Sequence, residues 1–201
     1  MKSKRITTYL MEQPLLYKFV QSTLAGGGHE TIKKYLKKQI PKKTKKILDQ
    51  GCGTGEYSLI FGERYTGVDI NPSYIDHANK NYPGKFYVGS ATSMPFKDGS
   101  FDICFAVGLH HHLNEKEAKK AILESLRVIN KKGKVVIVDA MLPKNRANLA
   151  GLILRKMDRG GHVRKVDDTV KLLPKGIKFQ TRVISSFPFD YITLVLEKDK
   201  S

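Results

Sequence analysis

Cysteine is scarce in this 201-residue chain. Cys52 and Cys104 stand in glycine-rich or apolar strand contexts, and neither has a second Cys-x-x-Cys or a histidine at zinc spacing. That argues against a disulfide scaffold, predicts no metal site, and fits a reducing, cytoplasmic setting. Long apolar runs are also missing. No stretch approaches the roughly 18 apolar residues of a membrane span. The basic start cannot form a signal-peptide core, because Glu12, Gln13 and Pro14 interrupt it. There is no internal repeat, low-complexity tract or linker, so one α/β domain over 1–201 is expected.

Acidic residues are few, 19 against 36 Lys and Arg, for a formal net charge of +17. Residues 1–46 hold 12 of the basic residues but only Glu12 and Glu30 on the acidic side. Such a field attracts polyanions. Lysine dominates it, however, whereas base and phosphate readers rely on the bidentate arginine fork. A solvated lysine-rich surface is therefore favoured over a nucleic-acid partner. Oligomeric state is not legible.

Residues 1–46 read as a helical cap: one helix over about 6–24, broken by Pro14, and a second over about 29–39 that Pro41 ends. Strand-like runs follow in KILDQ, YTGVDI, KFYVGS, FDICFAVG and KVVIVDA, with helical stretches between most of them. Strands alternating with helices predict a parallel sheet with right-handed crossovers. The segment 169–201 holds two further runs around Pro188, expected as an antiparallel hairpin at one sheet edge. The expected fold is thus a Rossmann-like, doubly wound, mostly parallel seven-stranded α/β sheet. Its cofactor-binding core is 47–140, and a cap segment spans 141–168.

The strongest chemical signal is Ile47-Leu48-Asp49-Gln50-Gly51-Cys52-Gly53-Thr54-Gly55-Glu56, a strand running into glycines and then a helix. Glycines there let a ligand approach the backbone. Dinucleotide binders place Gly-x-Gly-x-x-Gly at this turn to seat a pyrophosphate. This turn is Gly-x-Gly-x-Gly flanked by Asp49 and Glu56, whose charges would repel a diphosphate and suit a ligand bearing an ammonium and a sulfonium. Asp69, at the tip of the next strand, can accept two ribose hydroxyls, and Ile70 can pack on an adenine face. Ser90 and the Ala91 amide can bond adenine nitrogens.

From ILDQGCGTG through GVDI, SMPFKDGSFD and LHHHL to LRVINKKGKVVIVD, the chain resembles a class I S-adenosylmethionine-dependent methyltransferase with a type 11 methyltransferase domain. The resemblance covers residues 47–140. It implies S-adenosyl-L-methionine as cofactor, held by Asp49, Gly51, Cys52, Gly53 and Gly55 at its methionine part. It likewise assigns Asp69 to the ribose, and Ile70, Ser90, Ala91 and Val107 to the adenine side. Ser90 departs from the Asp that the family usually carries there. The chain lacks the Asn-Pro-Pro-Tyr motif of enzymes that methylate amino groups of bases or glutamine.

His111 and His112 match the paired histidines common in the family, and either could take a proton from an attacking hydroxyl or amine. Gln13-Pro14-Leu15-Leu16-Tyr17 and the Asp-Arg-Gly of 158–160 resemble a bacterial subgroup of the same family. Both are read as cap over the acceptor, with Tyr17, Arg159, His162 and Arg164 as candidate contacts. The alternative is a core helix over Leu149 to Met157 with a solvated end. The implied activity is methyl transfer to a small-molecule or lipid-like acceptor. Alternatives are a tRNA methyltransferase, a non-catalytic cofactor-binding module and a nicotinamide-dependent oxidoreductase.

Overall fold

The computed structural model describes residues 28–145, 147–157 and 160–198. The expected helix over 6–24, Tyr17 and Arg159 lie outside the described residues.

Helix α1 occupies residues 28–39. Ile32, Leu36 and Ile40, one helical turn apart, are 4%, 0% and 3% exposed. They lie on one face, and burying each side chain is worth about 1.5–3 kcal/mol. The strands are β1 (Ile47–Gln50), β2 (Tyr65–Asp69), β3 (Lys85–Val88), β4 (Phe101–Val107), β5 (Ile129–Ala140), β6 (Lys178–Ser186) and β7 (Phe189–Glu197). Between them run α2 (Ser58–Phe61), α3 (Pro72–Asn81), α4 (Glu115–Val128), α5 (Leu149–Met157) and α6 (Val166–Val170). No described helix is long and apolar enough to cross a membrane.

The seven strands form one sheet in the order β3-β2-β1-β4-β5-β7-β6. β1 to β5 pair parallel, and β7 pairs antiparallel with both β5 and β6. The expected architecture is therefore observed, with one refinement: β7 inserts between β5 and β6, so the edge strand is β6. Alternation along the strands divides the core. Ile47, Tyr65, Phe105 and Val136 pack on the side of α1, whereas Leu48, Cys104, Val135 and Ile137 pack with Ala118 and Ile122 of α4.

The order reverses between β1 and β4, and the crevice outside their carboxyl ends is where such sheets bind ligands. The glycine turn after β1 and the loop after β4 meet there. A Cβ on Gly51 would lie 2.8 Å from the Leu109 side chain. On the α4 side the sheet is joined to the helix by Gln50, whose amide nitrogen donates to the Ala91 and Ala121 carbonyls at 2.8 and 3.0 Å. Its oxygen accepts from Ser125 Oγ at 2.6 Å. α4 is started by a reciprocal capping box between Asn114 and Glu117.

Candidate active site

The turn after β1 carries three left-handed glycines, Gly51, Gly53 and Gly55, at φ +75°, +54° and +85°. L-residues avoid that region, which explains the Gly-x-Gly-x-Gly spacing. The Gly51 and Cys52 amides both donate to the Val68 carbonyl, at 2.8 and 3.0 Å, binding the turn to β2. The Cys52 thiol packs on Gly67 and burial pushes its pKa up, so amide and thiol both serve the turn itself.

Asp69 closes the other side of this hollow. Its two carboxylate oxygens accept from the Gly53 and Asn71 amides, each at 2.9 Å, and the carboxylate keeps acceptor capacity for a further donor. Burial raises its pKa, against three backbone amides that lower it. Beside it the Ile70 side chain is 73% exposed, an apolar shelf open to a flat ring. Ser90 and Ala91 lie half-buried near the tip of β3, the strand beside β2. The Ser90 hydroxyl is engaged with Thr92, by its Oγ1 at 3.0 Å and its amide at 3.2 Å.

Asp49 requires a correction. The sequence reading counts it as an anion, yet the side chain is 1% exposed and accepts from the Tyr65 hydroxyl at 2.6 Å. Burial, opposed by that hydrogen bond and reinforced by the neighbouring Asp69 charge, pushes its pKa up to about 8. Without a cation beside it, Asp49 is a neutral acid at pH 7. Asp49 and Asp69 are nonetheless neighbours on adjacent strands at the same sheet end, close enough for one charge to act on the other.

The histidines divide by burial. His110 and His111 are 2% and 6% exposed, and His112 faces solvent with its ring centroid 4.1 Å from that of His111. His111 Nδ1 lies 2.6 Å from Asp139 Oδ1, at the tip of β5, and the pair is buried. Burial raises the Asp139 pKa, but His111, His110 and the Ala140 amide outweigh it and hold the carboxyl below its ordinary value. Val107 ends β4, half-buried, just before this loop.

The cap segment fastens onto the same loop. The His162 amide donates to the His111 carbonyl at 3.0 Å. Arg164 donates to the His110 and Leu113 carbonyls at 2.7 and 2.6 Å, so its guanidinium orders the loop. The His162 side chain is exposed. α5 is not a core helix on its outer face, since Leu149 and Ile153 are 66% and 59% exposed.

Three residues that build the hollow and its flanking loop carry no mark in the sequence analysis or were passed over there. Tyr65 and Gln50 carry no signature, because their partners are set by strand register. Asp139 ends KVVIVDA as an acid at a strand tip, the same signal that marked Asp69.

The hollow fits a sulfonium nucleoside better than a diphosphate: the Asp69 carboxylate would repel phosphate and stands at the strand tip beside an open apolar shelf, and Asp49 can ionise against a cation but gains nothing from an anion. Comparison with known proteins agrees. Residues 48–137 match the family model of the methyltransferase domain. The 2-methyl-6-phytyl-1,4-hydroquinone methyltransferase of Synechocystis is 33% identical over 129 residues, covering 60% of this chain and 37% of that protein. A human protein named "Probable tRNA methyltransferase 9B" is 33% identical over 128 residues, covering 62% of this chain and 28% of its own. The chain thus spans well under half the length of these two relatives. In fold, a Thermotoga maritima structure described as an S-adenosylmethionine-dependent methyltransferase superposes with a TM-score of 0.76 at 14% identity, covering 95% of this chain and 99% of that one.

Proposed function

We propose that this chain, whose residues 48–137 match the family model of the methyltransferase domain, is a class I S-adenosylmethionine-dependent methyltransferase that methylates a small or lipid-like acceptor at a nucleophilic oxygen, nitrogen or carbon. The observation that carries the reading is the hollow at the β1 and β2 tips, with its glycine turn, Asp69 and the exposed Ile70 shelf. When bound, S-adenosylmethionine supplies a methyl group on a positively charged sulfur.

The chain's own residues supply position and proton handling. Asp69 would accept the ribose hydroxyls, Ile70 would cover the adenine, and Asp49 would meet the methionine ammonium once ionised. The Asp139 carboxylate accepts the Nδ1 proton of His111, which fixes the tautomer whose Nε2 is basic. A base so oriented can take the proton of an attacking hydroxyl or amine, while in-line placement of the acceptor supplies most of the rate. The hydroquinone relative supports a phenolic acceptor. A lipid-like tail is supported by the exposed apolar Leu149, Ile153 and Phe187, since Gly151 of α5 packs on the Pro188 carbonyl next to Phe187. The tRNA relative supports RNA as the second acceptor class.

Calorimetry with S-adenosylhomocysteine and with NAD tests the cofactor; heat with NAD alone would overturn the reading. An acceptor panel of prenylated hydroquinones, simple phenols, amines and bulk tRNA, read by S-adenosylhomocysteine release, then tests the acceptor. With the acceptor so found, D139N should lower kcat about 10–100-fold and displace the acidic limb of the pH–rate profile, with KM nearly unchanged. An unaltered profile removes His111 as base.

A further inference from the structure

The sheet is electrically polarised along its strands. At the carboxyl ends stand Asp69 and Asp139, with the protonated Asp49 between them in the strand order. At the amino ends the strand order lines up cations: Lys85 opens β3, Arg64 precedes β2, Lys45 and Lys46 precede β1, and Lys131 and Lys132 occupy the turn early in β5. The four lysines before β1 and within β5 are exposed. They are drawn together by Asp102 at the start of β4, whose carboxylate accepts from the Lys45 and Lys46 amides, each at 3.0 Å, and from Asn130 Nδ2 at 2.9 Å. Asp102 lines, with Asn130, Lys131 and Lys132, one shared depression. Acids also stand at this end: Glu63 beside Arg64, Asp98 on the turn before β4, which pairs with Arg127 at 2.7 Å, and Glu197 at the end of β7, in register with Lys134. Residues 33–46, which lead into it, contain eight lysines and no acid.

From β3 to β5 this row crosses five strands, about 19 Å at ~4.8 Å per strand. That span is long enough to meet several successive phosphates of a nucleic-acid strand. Lysine ammoniums act as point charges without the fork that reads a base edge, so such a row grips the backbone and not the sequence. A membrane surface fits less well. Lipid-surface binding needs apolar side chains inserted beside the cations, and the exposed Ile70, Leu149, Ile153 and Phe187 lie at the other end of the sheet; Phe179, at the lysine end, stands two strands beyond β5 on edge strand β6. The seven residues of β4, about 23 Å at ~3.3 Å each, would also hold the methyl-transfer cleft away from the bilayer.

We propose that the amino-terminal edge of the sheet, centred on Lys45, Lys46, Lys131 and Lys132, is a docking surface for the phosphate backbone of RNA. It lies apart from the transfer cleft, so RNA docks there whichever acceptor is methylated. The test uses the full chain and a fluorescein-labelled 20-nucleotide single-stranded RNA, followed by anisotropy between 50 and 200 mM salt. The wild type should bind with Kd about 1–100 µM at the low-salt end and weaken steeply with salt. The K45Q/K46Q/K131Q/K132Q variant should lose about 10-fold or more, with the log–log salt slope shallower by about 3. S-adenosylhomocysteine binding by the variant, measured by calorimetry against wild type, should be unchanged, which separates loss of the patch from loss of the fold or of the cofactor site. Absence of RNA binding by the wild type, or equal binding by the variant, overturns the proposal. So does lysine-dependent binding to vesicles containing phosphatidylserine in preference to RNA.

Discussion

At the scale of single residues, the Asp49 proton couples the cofactor hollow to pH. A carboxyl with a pKa of about 8 is roughly 0.9 protonated at pH 7. It cannot pair with the ligand's ammonium until that proton leaves, so binding should expel it. Calorimetric titration of S-adenosylhomocysteine at pH 7 in buffers of different ionisation enthalpy should show close to one proton released. Affinity should rise with pH until about 8 and then level off. D49N, isosteric and uncharged, should release none and bind about 10-fold or more weakly, the loss of a charge-assisted hydrogen bond. Equal proton release by wild type and D49N would show that Asp49 does not meet the ammonium.

At the scale of elements, the loop after β4 and the cap segment after α5 are mutually fastened, and Gly160 is the point of closest approach. A Cβ there would overlap Cδ2 of His111 and sit 2.8 Å from its carbonyl oxygen. G160A should therefore destabilise by about 1–3 kcal/mol through overpacking, whereas G161A, with nothing within 4 Å of its added methyl, should stay within about 0.5 kcal/mol of wild type. Urea melts of the two variants make the comparison, and equal midpoints would remove the fastening. Legibility from sequence follows the same division. The strands β1 to β5, the helix over 28–39 and the hairpin around Pro188 announce themselves, because β-branched runs, a 3.6-residue apolar stripe and proline are local signals. The glycine turn and Asp69 are legible because a backbone conformation and a strand tip each demand a residue type nearby. The Tyr65 hydrogen bond, the neutral state of Asp49 and the His111–Asp139 pair depend on register between strands distant in sequence. The carbonyl partners of Arg164 depend on how the cap folds back, which leaves no local trace.

At the scale of the whole molecule, the buried carboxyls set how stability responds to pH. Asp49 keeps its proton in the folded state up to about pH 8, and Asp69 is shifted in the same direction, while in the unfolded chain both ionise near 4. Between those values the folded state binds more protons than the unfolded one, so these groups destabilise the fold progressively as pH rises. His29 and His110, both lowered chiefly by burial, act oppositely: the unfolded state carries their protons up to about pH 6.5, so stability rises as pH climbs to that point. Above it the histidine contribution tapers off over about one pH unit, partly offsetting the carboxyls there, and beyond that the carboxyl effect dominates. From pH 6.5 to 8 the ligand-free protein should lose about 1–2 kcal/mol through Asp49, a fall in Tm of about 3–6 °C for a chain of this size. D49N should flatten that decline. Saturating S-adenosylhomocysteine should do the same in the wild type, since an ammonium beside Asp49 restores the ionised carboxyl to the folded state. A ligand-free Tm that holds steady or climbs from pH 6.5 to 8, with D49N indistinguishable from wild type, would place an ionised Asp49 in the empty hollow.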